Sequence, residues 1–269
     1  MKVDVLDIEG KKTGSIELPE QFEETYRPDV IKKAVQTIQA NKRQAYGAKE
    51  KAGMRQVAKL SRRRRKYKGA YGKGISRIPR KTMSARGQNF YWVGAVAPGT
   101  VGGRRAHPPK ASKIWDKKIN KKEKQKAIRA ALNASTILGI VKLRGHKVEK
   151  VPLIVEEKIE TIETTKKARA LLEKIGLKEE LIRVKQKKVR AGKGKARARK
   201  YKIKKGPLIV VADKCNAEKS MKNIYGVDIV KVKYLNTSNL APGTESGRLV
   251  VWSEKAIKKI RDEGLFQTK

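Results

Sequence analysis

Leu208-Ile209-Val210-Val211 is a run of four consecutive apolar residues. Leu153-Ile154-Val155 and Leu249-Val250-Val251 are shorter runs of the same kind. Such a run fits a strand buried on both faces of a sheet, where no side chain meets water. Helical spacing surrounds these runs. Ala168, Leu171/Leu172 and Ile175 form an apolar stripe closed by Gly176, and Ala256, Ile257 and Ile260 form another. Val227 to Tyr234 alternates as a further strand. Strands alternating with helices predict an α/β fold with a largely parallel sheet and helices on its faces.

The N-terminal part extends this body. Val3-Asp4-Val5-Leu6-Asp7-Ile8 alternates apolar and polar residues, as a half-buried strand does. Gly10 to Gly14 reads as a turn, and Ser15-Ile16-Glu17-Leu18 as the hairpin partner. Pro28 suits the first turn of a helix whose apolar face carries Ile31, Ala34/Val35 and Ile38. That pattern fades after Asn41 and returns at Asn120. Asn120 with Glu123 reads as a capping box, Ala127/Ile128, Ala131/Leu132 and Leu138 as a buried stripe, and Gly139 as the C-cap.

The charge is concentrated between and beyond these elements. The 269 residues hold 68 Lys+Arg against 26 Asp+Glu, a net charge of +42. Residues 42–113 carry 21 basic groups and one acidic group, Glu50, and residues 183–205 carry 13 basic groups and none acidic. These two segments supply +33, and the other 174 residues net only +9. The chain therefore reads as an ordinary globular body with two basic extensions. A charge this dense repels itself unless a polyanion neutralises it, and nucleic acid meets that need. No stretch of 18 apolar residues exists to span a membrane, and Met1-Lys2-Val3-Asp4-Val5 lacks the apolar core of a signal peptide. The single Cys215 has no internal disulfide partner, which suits a reducing compartment. No repeat of solenoid length is visible.

Residues 42–113 differ in kind from the body. They hold 10 of the 22 glycines, 4 of the 9 prolines and 6 of the 14 aromatic residues. Without an apolar period the segment cannot build a core of its own. Yet Tyr46, Tyr67, Tyr71, Phe90, Tyr91 and Trp92 lie among its cations. Aromatic rings beside Arg and Lys suit base stacking and phosphate pairing, so the segment reads as an extended arm that orders against RNA. Its sharpest feature is Arg62-Arg63-Arg64-Arg65-Lys66. Such a run also fits a localisation signal or a solvated tail, but its place inside a segment of +20 favours RNA, and guanidinium pairs bidentately with phosphate. The cations expected to meet RNA here are Lys59, Arg62, Arg63, Arg64, Arg65, Lys66, Lys73, Arg77, Arg80, Lys81, Arg86, Arg104, Arg105, His107 and Lys110. In the second segment they are Arg190, Lys193, Lys195, Arg197, Arg199 and Lys200.

Other chemistry finds little support. Gly192-Lys193-Gly194-Lys195 suggests a phosphate-binding loop, but Ala196 stands where that motif needs Ser or Thr, and no apolar strand precedes it. His107 and His146 are the only histidines and, with one cysteine, form no zinc cluster. Cys215 lies after an apolar strand, where a nucleophile could sit, though a half-buried structural cysteine is the commoner case. Glu156, Glu157, Glu160 and Glu163 read as a solvated face rather than a metal site, and Trp115 and Trp252 as packing residues. No cofactor is expected.

Three motifs resemble a known family. They are Arg77-Ile78-Pro79-Arg80, Gly102-Gly103-Arg104-Arg105-Ala106-His107-Pro108-Pro109-Lys110, and Arg190 through Tyr201 with its Gly-Lys-Gly-Lys-x-Arg-x-Arg run. Arg129-Ala130-Ala131-Leu132 adds to them, and the order of elements agrees over essentially the whole chain. The chain resembles the universal large-subunit ribosomal protein L-four family in its archaeal and eukaryotic form. The resemblance implies a three-layer, Rossmann-like body without a nucleotide, formed by residues 1–44 and 114–269. It implies a long basic loop, residues 45–113, that penetrates rRNA and lines part of the nascent-peptide exit tunnel. Thr82, Met83, Arg86, Phe90, Tyr91 and Trp92 are the tip residues so implied, although this stretch departs most from the Gly/Arg-rich tips of the family. The implied partners are large-subunit rRNA, neighbouring ribosomal proteins and the nascent peptide. No enzymatic activity, membrane association or homo-oligomer is implied, and the location is cytoplasmic. Two other readings stay open: a free RNA-binding regulator or chaperone, and an α/β RNA-modifying or nucleotide-using enzyme acting through Asp213 or Cys215.

Overall fold

A computed structural model describes residues 1–267; Thr268 and Lys269, the end of the expected body, lie outside the described residues. The chain divides into two compact units, one formed by residues 1–42 and 116–269 and the other by residues 43–115. In chain order the first unit opens with β1 (Lys2–Leu6), β2 (Lys12–Glu17) and α1 (Pro28–Asn41). The second unit contributes β3 (Arg80–Arg86) and β4 (Asn89–Gly94). The first unit resumes with α2 (Lys121–Thr136), α3 (Leu138–Leu143), β5 (Leu153–Val155), α4 (Thr165–Leu172) and α5 (Lys178–Lys185). It continues with β6 (Lys188–Val189), β7 (Tyr201–Lys202), β8 (Leu208–Val211), α6 (Ala217–Lys222) and β9 (Asp228–Lys231). It ends with α7 (Thr237–Leu240), β10 (Val250–Ser253) and α8 (Glu254–Asp262).

The three apolar runs are the centre of a six-stranded sheet of order β2-β1-β5-β10-β8-β9. β1 and β2 pair antiparallel as a hairpin, and every other neighbouring pair is parallel. The register sorts side chains into two faces. Val5, Ile154, Trp252, Val210 and Val230 stand in one row and join the first core cluster. Leu153, Val251, Ile209 and Ile229 stand in the adjacent row and join the second. Side chains alternate across a strand, so both faces of the sheet are buried. The first face packs against Ile31 and Val35 of α1, Ile128 and Leu132 of α2, and Ile257 and Ile260 of α8. The second packs against Leu171 and Leu172 of α4, Leu181 of α5 and Met221 of α6. Each such fully buried aliphatic side chain contributes about 1.5–3 kcal/mol. Trp252 is wholly buried and meets Phe22 edge-on at 5.2 Å between ring centroids.

Several local expectations need correction. Asn120 is the N-cap of α2, but its side chain makes no capping bond. Glu123 is instead drawn to Lys33 of α1, whose Nζ donates to Oε1 at 2.6 Å. Gly139 is not a C-cap: α2 ends at Thr136 and Gly139 lies within α3, while the left-handed residue that follows α3 is Gly145 at φ +92°. The strand expected from Val227 to Tyr234 stops at Lys231, and residues 232–234 form a 3-10 turn. α5 buries Leu181 and Val184 and keeps Lys178, Glu179 and Lys185 on its exposed face. Gly176 does turn the chain after α4, at φ +87°.

Candidate nucleic-acid interface

In the unit 43–115, outward and returning limbs run side by side. The Ala48 N–H donates to the Pro109 carbonyl at 3.0 Å. At Gly53, φ is +74° and a Cβ would lie 2.5 Å from the Arg104 Cα, so only glycine lets the limbs approach this closely. Tyr46 stacks on Trp115 at 5.9 Å between centroids, and the Arg43 guanidinium sits 3.6 Å from the Trp115 ring centroid. Trp115 is therefore a packing residue of this unit rather than of the sheet.

The segment is not wholly irregular. β3 and β4 form an antiparallel hairpin whose turn is Gly87-Gln88. Arg86 pairs with Asn89, Ala85 with Phe90, Ser84 with Tyr91 and Thr82 with Trp92, so Met83 is the extra residue of a β-bulge. The bulge breaks the two-residue alternation that would have revealed β3. The pleat then divides the three adjacent aromatic residues. Phe90 and Trp92 pack on one face, 5.4 Å apart, and Tyr67 meets Phe90 edge-on at 5.1 Å. The ammonium groups of Lys68 and Lys73 and the guanidinium of Arg80 lie 5.4–5.8 Å from the centroids of these rings. Tyr91 and Met83 are exposed, at 67% and 59%.

The arginine run lies in a closed loop. Ser61 and Gly69 bridge its ends, and the Gly69 N–H donates to the Lys66 carbonyl at 2.9 Å. Arg62 through Lys66 are all exposed. Arg65 and Lys68 adopt left-handed backbone, φ +55° and +59°. Lys59 pairs backbone-to-backbone with Arg80, joining this loop to the hairpin. Lys73, Arg77, Arg86, Arg104, Arg105, His107 and Lys110 are exposed as well, whereas Arg80 and Lys81 are half-buried.

The second basic segment belongs to the body unit. β6 and β7 pair antiparallel and carry residues 190–200 as their connecting loop. The Arg190 N–H donates to the Lys200 carbonyl at 2.9 Å, and the Arg197 and Arg199 N–H groups both donate to the Gly194 carbonyl. This compaction points the cations outward: Arg190, Lys193, Lys195, Arg197, Arg199 and Lys200 are exposed. The root of the segment is fastened by a cluster that the sequence did not reveal. Glu180 is fully buried and accepts from Arg183 Nε at 2.7 Å, from His146 Nδ1 at 2.7 Å and from the Lys147 N–H at 3.0 Å. Burial disfavours its ionised form, but these three donors outweigh burial and hold its carboxyl at about 2. Burial also pushes the His146 imidazole down. A neutral ring satisfies Glu180 only as the Nδ1–H tautomer. Arg183 also donates to the Lys205 carbonyl at 2.8 Å, tying the first residue of the segment to the last.

The acidic and nucleophilic candidates are occupied in the fold. Glu160 accepts the Ala212 N–H at 2.8 Å, Glu163 accepts from the Asn216 amide, and Glu157 pairs with Lys258. Asp213 is held by Lys259. Cys215 is half-buried against the second core cluster, and burial pushes its thiol up, away from the reactive thiolate. By contrast, no sequence-proposed RNA-contact residue stands within ion-pair distance of a carboxylate, among the described residues. Arg183 and Lys205, at the two ends of the second segment, pair with Glu180 and Asp228, and the cations between them are left without carboxylate partners among the described residues.

A family model described as "Ribosomal protein L4/L1 family" matches residues 16–263, a span that includes both cationic segments. The chain belongs to the ribosomal protein L4/L1 family. The large ribosomal subunit protein uL4 of Nanoarchaeum equitans is 47% identical over 268 residues, 99% of this chain and 100% of that protein. That of Methanosphaera stadtmanae is 40% identical over 270 residues, 99% and 98% of the two chains. That of Methanocaldococcus jannaschii is 42% identical over 265 residues, 97% and 99%. An L4/L1 protein is a structural, non-enzymatic component of the ribosome, which disposes of the enzyme reading of Asp213 and Cys215.

Proposed function

We propose that this L4/L1 protein is built into the cytoplasmic large ribosomal subunit by binding rRNA through two basic segments, and that it aids assembly of that subunit. The observation that carries this reading is the charge of residues 42–113 and 184–204, whose cations have no carboxylate partner among the described residues; only Arg183 and Lys205, at the segment's ends, are paired. Lys and Arg without internal partners bind phosphate while releasing condensed counterions, a gain that internally paired cations would forgo. Lys59, the Arg62–Lys66 loop, Lys73, Arg77, Arg80, Lys81, Arg86, Arg104, Arg105, His107 and Lys110 make the contacts of the loop 45–113. Arg190, Lys193, Lys195, Arg197, Arg199 and Lys200 make those of the body. The body, residues 1–44 and 114–269, is three-layered and Rossmann-like in this reading and holds no nucleotide.

The hairpin β3–β4 is the natural tip of the loop, because Gly87-Gln88 reverses the chain there. In this account Thr82, Met83, Arg86, Phe90, Tyr91 and Trp92 lie near the nascent-peptide exit tunnel. Exposed Tyr91 and Met83 face the peptide, while Phe90 and Trp92 stiffen the hairpin from its other face. Neighbouring ribosomal proteins complete the surroundings of a single copy. A free RNA-binding regulator is the competing reading. Sedimentation of a lysate at low and raised salt separates the two: co-migration with the large subunit through raised salt supports the integral component, and a slow, salt-released pool supports the regulator.

A further inference from the structure

A hollow of about 480 Å³ opens on the body surface between α4, α5 and the turn after α6, a volume in the range of ligand clefts. Leu181 and Ile224 supply its apolar floor, and Tyr225 forms one wall. Lys166, Lys185 and Asn223 stand at the rim. Tyr225 is 49% exposed, so part of its ring is open to a partner. Neither Lys166 nor Lys185 has a carboxylate partner among the described residues, whereas Arg169 beside them is held by Glu173 at 2.9 Å. The hollow adjoins the second basic segment. Lys185 belongs to that segment, and the Lys187 ammonium lies 5.0 Å from the Tyr225 ring centroid and 5.8 Å from that of Tyr201.

We propose that this hollow receives one unpaired nucleotide of RNA. The inference rests on the rRNA-binding reading of residues 183–205. The base stacks on Tyr225 above Leu181 and Ile224, the Asn223 amide meets its polar edge, and Lys166 and Lys185 take the flanking phosphates. A base inside a duplex has both faces stacked and cannot enter, so the site selects single-stranded or bulged RNA. An acidic peptide with one apolar side chain could also match a cationic rim. The half-exposed aromatic wall and the continuity with the second segment's cations, all without a carboxylate partner among the described residues except Arg183 and Lys205, favour the nucleotide.

The test uses the full-length protein at raised salt with two probes of equal length: a single-stranded RNA carrying 5-iodouridine and an RNA duplex. The expected result is a photocrosslink at Tyr225. Tyr225→Leu should lose it and bind the single strand about tenfold more weakly, the effect of one base–aromatic stack, with duplex affinity unchanged. Tyr225→Phe keeps the ring and should retain both crosslink and affinity, which separates stacking from misfolding. Wild-type affinity in Tyr225→Leu, or displacement of the single strand by a phenylalanine-containing acidic peptide, would overturn the nucleotide site while leaving RNA binding elsewhere intact. Failure of the wild-type protein to bind either RNA would overturn the wider reading itself.

Discussion

Asn41 and Lys117 exchange two hydrogen bonds across the neck of the long insertion. The Asn41 Nδ2 donates to the Lys117 carbonyl at 3.2 Å, and the Lys117 N–H donates to the Asn41 Oδ1 at 2.8 Å. They lie 76 residues apart in sequence, on either side of the unit 43–115. Asn41 ends α1, so one amide side chain fixes where the chain leaves the body and where it returns.

Asn41→Leu removes both bonds without removing a core contact. Body stability should fall by about 1 kcal/mol, the net worth of exposed hydrogen bonds. Limited proteolysis should cut residues 42–117 faster than in the wild type, while cleavage of the body is unchanged. Equal cutting rates would show that the neck does not depend on this pair.

Glu180 links stability to pH. Its carboxyl titrates at about 2 in the folded protein against 4.5 for an ordinary glutamate. As pH falls, the unfolded chain takes up the proton first, so the contribution is full above pH 4.5 and is lost between 4.5 and 2. His146, held below its ordinary 6.5, acts in the same direction from pH 6.5 downward, because its unfolded form protonates more readily. Glu180→Gln should cost about 3 kcal/mol at pH 7, leaving half-buried Arg183 without its carboxylate, and should flatten the pH dependence. Urea unfolding of both proteins from pH 7 to pH 3 measures both effects.

Replacing Arg62, Arg63, Arg64 and Arg65 with Gln should weaken RNA binding without altering the body. If each arginine meets one phosphate, the slope of log K against log salt should fall by roughly 3, at about 0.7–0.9 per contact. Filter binding across a salt series reads the slope, and circular dichroism checks the fold. An unchanged slope would place these side chains away from phosphate.

Deleting residues 62–95 should leave a folded, soluble body, because the sheet and both core clusters lie outside that span. Ordering such a loop costs about 1–2 kcal/mol per residue in backbone entropy, which RNA must offset. Cells carrying only the deletion should accumulate incomplete large subunits on gradients. Normal subunit levels would remove the loop from assembly.

The sheet was legible because it rests on local pattern. Leu208–Val211 and Leu153–Val155 are apolar throughout, and burial on both faces demands that. The cationic segments were legible for the same reason: charge density needs no partner to be seen. What escaped depends on distance in sequence or on broken alternation. Glu123 carries the capping signature but is claimed by Lys33, 90 residues away. Glu180 gives no sign that His146, 34 residues earlier, will be buried against it. Met83 interrupts the alternation of β3, and the surrounding glycines read as irregular chain. Arg43 and Lys68 were not singled out, although each lies close in sequence to a tyrosine it contacts, Tyr46 and Tyr67.

The central claim is that two separate segments of one chain carry the rRNA contacts. Ultraviolet crosslinking of intact large subunits, with the crosslinked peptides mapped by mass spectrometry, tests it most directly. The account predicts crosslinks concentrated in residues 59–110 and 183–205. Crosslinks confined to the rest of the body, with both segments silent, would contradict it.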